Sequence, residues 1–355
     1  MFAVSLSFTT SLSFTTEDFS SMRSLKSLTP SMLKTFMGKI ITMELLFSGG
    51  WIGREGLWEA KIKNAHEFHD LEELEGFRGF VVISYDLTEA LLPVSLKSSP
   101  YPPIIALELG DIEPFTSEPG HVELRFVGSS LSEEGFLSAV AEVKRRIERG
   151  EVYQVNLTNR FIFKLRGDPR DLFLRFYQRQ PVPFAFFLKA EGFYVISGSM
   201  ELFLRKEGNR LWSKPIKGTG SSPGEVLQSE KERAENLMIT DMVRNDLGRV
   251  ARVGSVKVRE LFGIEVYRTL CQMYSTVEAE TDEDAVRILR ETFPPASVTG
   301  APKISAVRLI DALEPHPRGY YCGTAGFLKE KGDFVLSVLI RTAYGGGEDI
   351  SYFAG

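Results

Sequence analysis

A primary amine does nucleophilic chemistry only when part of it is unprotonated, and burial or a cationic neighbour moves a lysine in that direction. Lys217 lies in Pro215-Ile216-Lys217-Gly218-Thr219, which reads as a tight turn presenting a single amine. Taken alone, such a turn is as a rule a solvated surface feature. Downstream, Glu232 and Glu235 stand three residues apart, and on a helix that spacing puts both carboxylates on one face. Two converging carboxylates would hold a hard cation such as Mg2+, which takes oxygen ligands and keeps several waters. The other reading is a solvated acidic face flanked by Lys231 and Arg233. Thr299-Gly300-Ala301-Pro302-Lys303 reads as the start of a helix. Its free backbone N–H groups would either bind a carboxylate or belong to an ordinary capped helix.

The elements that must position these groups follow from composition and pattern. With 355 residues and 43% hydrophobic content, the chain can build one large core or two smaller ones. A net charge of −5 and the lack of a basic stripe argue against a nucleic-acid surface. No apolar run approaches the roughly 20 residues of a membrane-spanning helix, so no membrane insertion is expected. Cys271 and Cys322 lack metal-ligand spacing and read as reduced, buried thiols of a cytoplasmic protein. His66 and His69 could share a helix face, but no third metal ligand follows them.

Residues 1–42 are rich in Ser and Thr and repeat Ser-Leu-Ser-Phe-Thr-Thr in tandem. They are expected to be a disordered extension, or to lie ahead of a true start at Met43. The apolar run 77–87 predicts a buried strand ending at a polar turn, and a proline-rich crossover follows. A boundary is expected near residue 130, dividing an N-terminal part (43–130) from a second part (131–355). Ser132 caps a predicted helix whose apolar face is Phe136, Val140, Val143 and Ile147, ending at Gly150. Strands are expected over 153–163, 184–189, 193–197, 202–206 and 210–214. Runs of strands with segregated helices imply an α+β fold.

Four ordered segments carry a resemblance: Ser197-Gly-Ser-Met-Glu201, the Lys217 pentapeptide, the run from Glu232 to Asp246, and Phe293-Pro-Pro-Ala-Ser-Val-Thr299-Gly300-Ala-Pro302-Lys303. Together they resemble the chorismate-utilising enzymes, over about Glu134 to Gly355. The resemblance implies two antiparallel sheets packed as a sandwich, helices outside, and an active site in the cleft between the sheets. It implies that Glu201 protonates the departing C4 hydroxyl, for which a pKa raised by partial burial would suit. It implies further that Lys217 attacks C2 to form a covalent adduct, that Thr219, Thr299, Gly300, Lys303 and Arg341 contact chorismate, and that Glu232 and Glu235 hold Mg2+. Arg341 would pair with the enolpyruvyl carboxylate, a task suited to a bidentate guanidinium.

Within the family, Lys at position 217 resembles the members that make 4-amino-4-deoxychorismate for para-aminobenzoate and folate, whereas anthranilate-forming members usually carry Ala. Gln154 and Gln272 occupy places where other members carry a water-activating Lys and a catalytic His, which disfavours water addition and pyruvate elimination. Met200 departs from the Pro that usually precedes the acid. Ammonia is expected from a separate glutamine amidotransferase subunit. The family pattern continues past Gly355 with a carboxylate-binding loop and a helix bearing two more magnesium carboxylates, so residues 131–355 are expected to be a truncated catalytic domain. The alternatives are anthranilate synthesis and a catalytically silent subunit kept for binding or assembly.

Overall fold

A computed structural model describes residues 43–355, and the expectation for residues 1–42 lies outside the described residues. Every strand pairing among them is antiparallel. Seventeen strands form one continuous hydrogen-bonded sheet, and Gln154–Val155 with Gly300–Ala301 form a separate two-stranded one. The fold is therefore mixed α and β with one dominant antiparallel sheet, in place of the two separate sheets that were expected. Strands on both sides of residue 130 share it: Glu44–Ser48 pairs with Phe184–Ala190, and Gly79–Ile83 with Thr324–Leu328.

Local sequence accounts for most elements. Ser132 accepts a hydrogen bond from the Gly135 N–H and caps Glu133–Glu148, whose buried face is Ala139, Val140, Val143 and Ile147. Four of the five expected strands fall as Phe184–Ala190, Phe193–Ser199, Leu202–Glu207 and Arg210–Lys214. The fifth breaks into Gln154–Val155 and Asn159–Arg166. The break arises because the intervening backbone is drawn inward: the Asn156 N–H donates to the Thr299 carbonyl at 2.7 Å and the Thr158 N–H to the Glu314 carboxylate at 2.8 Å.

The expected turn around Lys217 is instead a strand, Ile216–Gly220, paired with Cys271–Glu280. Its register shifts between Ile216 and Thr219, and Gly218 sits in that irregularity with φ 104°. A left-handed backbone at that point demands glycine. Against this strand packs the helix Glu230–Gly248, capped by Ser229, which buries Glu235, Asn236, Ile239, Thr240, Val243, Asp246 and Leu247 along one stripe. No helix among the described residues is long and apolar enough to cross a membrane.

Candidate active site

A cavity of about 320 Å³ opens where the Lys217 strand, the helix Glu230–Gly248 and the loops after two other strands converge. Lys217 and Thr219 line it from the strand, Glu232 from the helix, Glu201 from the turn before Leu202–Glu207, and Arg341 from the residue preceding Thr342–Gly346. Five of the nine residues singled out from the sequence thus face one space.

Glu201 is 3% exposed, and burial pushes its carboxyl up to about 7, against the opposing pull of the Ser297 side chain, the Lys217 cation and the Ile216 backbone. A group with that pKa is about half protonated near pH 7 and exchanges its proton within the neutral range, as a general acid must. Its backbone is anchored on both sides: the Glu201 N–H donates to Ser199 Oγ at 3.2 Å, and its carbonyl accepts from Val338 at 3.1 Å. Met200 is buried in a cluster with Leu46, Phe187 and Ile196, so the residue that departs from the family's Pro holds the turn by packing.

Lys217 is half-buried, and its charge acts on both Glu201 and Glu232. Asn236, which sequence reasoning passed over, fixes its backbone: Nδ2 donates to the Lys217 carbonyl at 3.1 Å and to the Met273 carbonyl at 3.4 Å. Asn236 Oδ1 also accepts from Ser275 Oγ. The place of Asn236 directly after Glu235 in the sequence was the available signal.

Glu232 and Glu235 share a helix face as expected. Burial raises the Glu232 pKa, and the neighbouring Glu235 charge raises it further, while Lys231 and Lys217 and the Thr219 N–H act in the other direction. Both Glu235 carboxylate oxygens are buried without a hydrogen-bond partner, and Lys231 Nζ stands 3.8 Å from one of them. Orphaned buried carboxylate oxygens are costly unless a cation satisfies them, and this donor set suits a hard divalent ion. Among the described residues no group of three or more His, Cys, Asp or Glu could hold a metal, so two carboxylates would leave most coordination positions to water and substrate.

Arg341 adopts a left-handed backbone with φ 49°, and its carbonyl accepts from the Gly198 N–H at 3.1 Å. Burial pulls the pKa of its guanidinium below the ordinary value. No carboxylate lies within ion-pair distance of it among the described residues. A buried, uncompensated guanidinium at a cavity wall is suited to an anionic ligand.

Thr299, Gly300 and Lys303 are placed differently from expectation, since the structure gives each to the scaffold and none to the cavity lining. Thr299 is fully buried, and its Oγ1 donates to the Pro295 carbonyl at 3.0 Å. Gly300 pairs with Val155, and a Cβ there would stand 2.1 Å from the Gln154 carbonyl oxygen. Lys303 Nζ lies 2.7 Å from Asp246 Oδ2 and 2.7 Å from the Thr292 carbonyl, closing an ion pair between two helices. The helix start therefore spends its polar groups internally. A second scaffold feature unseen in the sequence is the pair Arg318 and Glu314, both about 1% exposed at their side chains. Arg318 Nη1 donates to the Val298 carbonyl at 2.8 Å and Nη2 to the Asn156 carbonyl at 2.7 Å, and both of those residues line the cavity.

The profile of the chorismate binding enzyme family matches residues 58–355. This chain belongs to that family. It is 38% identical over 229 residues to aminodeoxychorismate synthase component 1 of Bacillus subtilis, covering 61% of this chain and 49% of the relative. It is also 38% identical over 241 residues to anthranilate synthase component 1 of Aquifex aeolicus, covering 64% and 48% respectively. The chain spans about half the length of the curated relatives it matches. Among solved structures, anthranilate synthase component I from Streptococcus pneumoniae superposes with a TM-score of 0.71 at 20% identity, covering 93% of this chain and 90% of that one, a likeness of fold.

Proposed function

We propose that this chain is an aminodeoxychorismate synthase component I, which aminates chorismate at C4 in the route to para-aminobenzoate and folate. The observation that carries the reading is the convergence of Lys217, an amine, and Glu201, a buried acid with its pKa raised to about 7, on one cavity with the unpaired Arg341. Relatives named for this activity match at 38% identity.

In this mechanism the Lys217 amine attacks ring carbon C2, the diene electrons shift, and the C4–O bond breaks. Glu201 gives its proton to the departing oxygen, which leaves as water, and the adduct nitrogen carries the positive charge. Ammonia then attacks C4, the C2–N bond breaks, and its electron pair returns to Lys217 as the free amine. The ammonium of the product loses a proton to the Glu201 carboxylate, which restores the acid. Dividing one displacement into two is ordinary covalent catalysis. Arg341 grips the enolpyruvyl carboxylate and Thr219 contacts the ring from the nucleophile's own strand. Glu232 and Glu235 would hold Mg2+, which when bound supplies a counter-charge for the ring carboxylate. The cavity lined by Lys217, Glu201, Glu232 and Arg341 is the place we assign to substrate.

Ammonia is supplied by a separate glutamine amidotransferase subunit, in keeping with relatives named as a component 1. We place the reaction in the cytoplasm, a compartment that suits the free, buried thiols Cys271 and Cys322. Anthranilate synthesis is the second reading, favoured by the Aquifex aeolicus relative at equal identity. Incubating the chain with chorismate, ammonium chloride and MgCl2 and chromatographing the mixture against both standards separates them. Anthranilate as the sole product would overturn the proposal, as would an absence of any Lys217 adduct in trapped enzyme.

A further inference from the structure

Gln272 lines the same cavity, is 5% exposed, and leaves its Oε1 buried without a hydrogen-bond partner. Its backbone is held from both sides, since Cys271–Glu280 sets Gln272 opposite Thr219 on one neighbouring strand and opposite Glu265 on the other. An unpartnered acceptor on a doubly paired strand is costly in an empty fold and is preorganised for a donor.

The other polar groups of the cavity limit which donor that is. Arg341 is a cation and serves a carboxylate, Lys217 is the nucleophile, and Glu201 faces the departing oxygen in the mechanism above. The Glu201 carboxyl already accepts from Ser297 and the Ile216 backbone, and Glu232 from the Thr219 N–H. An amide oxygen repels a carboxylate and attracts an N–H whose nitrogen is becoming positive. Two nitrogens develop such charge, Lys217 as it attacks C2 and ammonia as it adds to C4, and of these only ammonia arrives with no covalent tie to the chain to orient it.

We propose that Gln272 Oε1 forms an ammonia subsite, accepting a hydrogen bond from the incoming nitrogen and orienting its lone pair toward the substrate. The inference rests on the amination reading. In the added step ammonia's lone pair forms the C–N bond while its hydrogens stay in place, and the hydrogen bond to Oε1 strengthens as nitrogen gains charge.

The test measures KM for ammonium chloride and, separately, for chorismate in the full chain and in Gln272→Leu and Gln272→Glu, together with the mass of the Lys217 adduct formed without ammonia. Loss of one hydrogen bond to a charge-bearing nitrogen corresponds to about a tenfold rise in the ammonium KM of Gln272→Leu. Its chorismate KM should stay within about twofold and its adduct should form normally. Gln272→Glu keeps an acceptor and should hold an ammonium KM close to that of the parent, which preserves the test if the Leu variant fails to fold. An unchanged ammonium KM in the Leu variant overturns the subsite. So does a chorismate KM that rises sharply in the Leu variant, because the amide would then be donating to substrate. A parent chain that forms no adduct and no aminated product overturns the amination reading itself, and the subsite with it.

Discussion

Replacing Glu201 by Gln should make the protein more stable and less active at once, and the two effects should depend on pH in a defined way. The carboxyl is 3% exposed and its pKa is raised from 4.5 to about 7, chiefly by burial. The folded state therefore binds more protons than the unfolded state between those two values. Under proton linkage, stability falls as pH rises through that window and stays low above it. A displacement of this size corresponds to about 3 kcal/mol. Gln has nearly the same shape and no charge to desolvate, so Glu201→Gln should gain up to about 3 kcal/mol over the parent near pH 8 and almost nothing near pH 4. Urea unfolding of both proteins across that range measures the difference. Amination by the variant should fall by roughly 10²-fold or more, the usual contribution of a positioned acid. The parent's rate should decline as pH rises past about 7, on the limb where the acid form is lost. A stability difference between the two proteins that is flat with pH would refute the claim that burial holds this carboxyl protonated, and with it the basis for assigning the acid.

Lys217→Ala should abolish both the adduct and amination while leaving the melting temperature near that of the parent, checked by intact-mass spectrometry of enzyme quenched with chorismate. Gly218→Ala forces a side chain onto a residue with φ 104° and brings a Cβ to 3.1 Å from Met273 Cβ and 3.3 Å from Glu232 Cβ. It should cost about 1–3 kcal/mol in unfolding experiments and lower kcat by displacing its neighbour Lys217. Glu314→Gln leaves the Arg318 charge buried without its counter-ion, so chemical denaturation should show a loss of about 3–5 kcal/mol, the penalty for breaking a buried pair.

Much of the scaffold was legible because its signals are local. The Ser132 cap and the three-to-four spacing of Val140, Val143 and Ile147 announce their helix wherever it packs. The strands from 184 to 214 are separated by short turns of their own. Residue pattern singled out Lys217 and Glu232, and the family resemblance added Glu201, Thr219 and Arg341; the fold brings these five to one cavity although they are spread over some 140 positions.

Other properties belong to the tertiary structure. The Lys217 segment reads locally as a turn, yet it is a strand because Cys271–Glu280 offers a hydrogen-bonding edge and Asn236 clips its carbonyl, and no local pattern encodes that partner. Lys303 looked free to meet a substrate, and only the packing of two helices delivers Asp246 to its side. The Glu201 pKa depends on how completely water is excluded around it and on the opposing pull of Ser297, Ile216 and Lys217, which arrive from other parts of the chain. Sequence by itself determined which chemical groups are present and which local elements carry them. The tertiary structure decided which groups are spent on the scaffold and which are left unpaired at the cavity, because desolvation and hydrogen-bond satisfaction are properties of what surrounds a group in space.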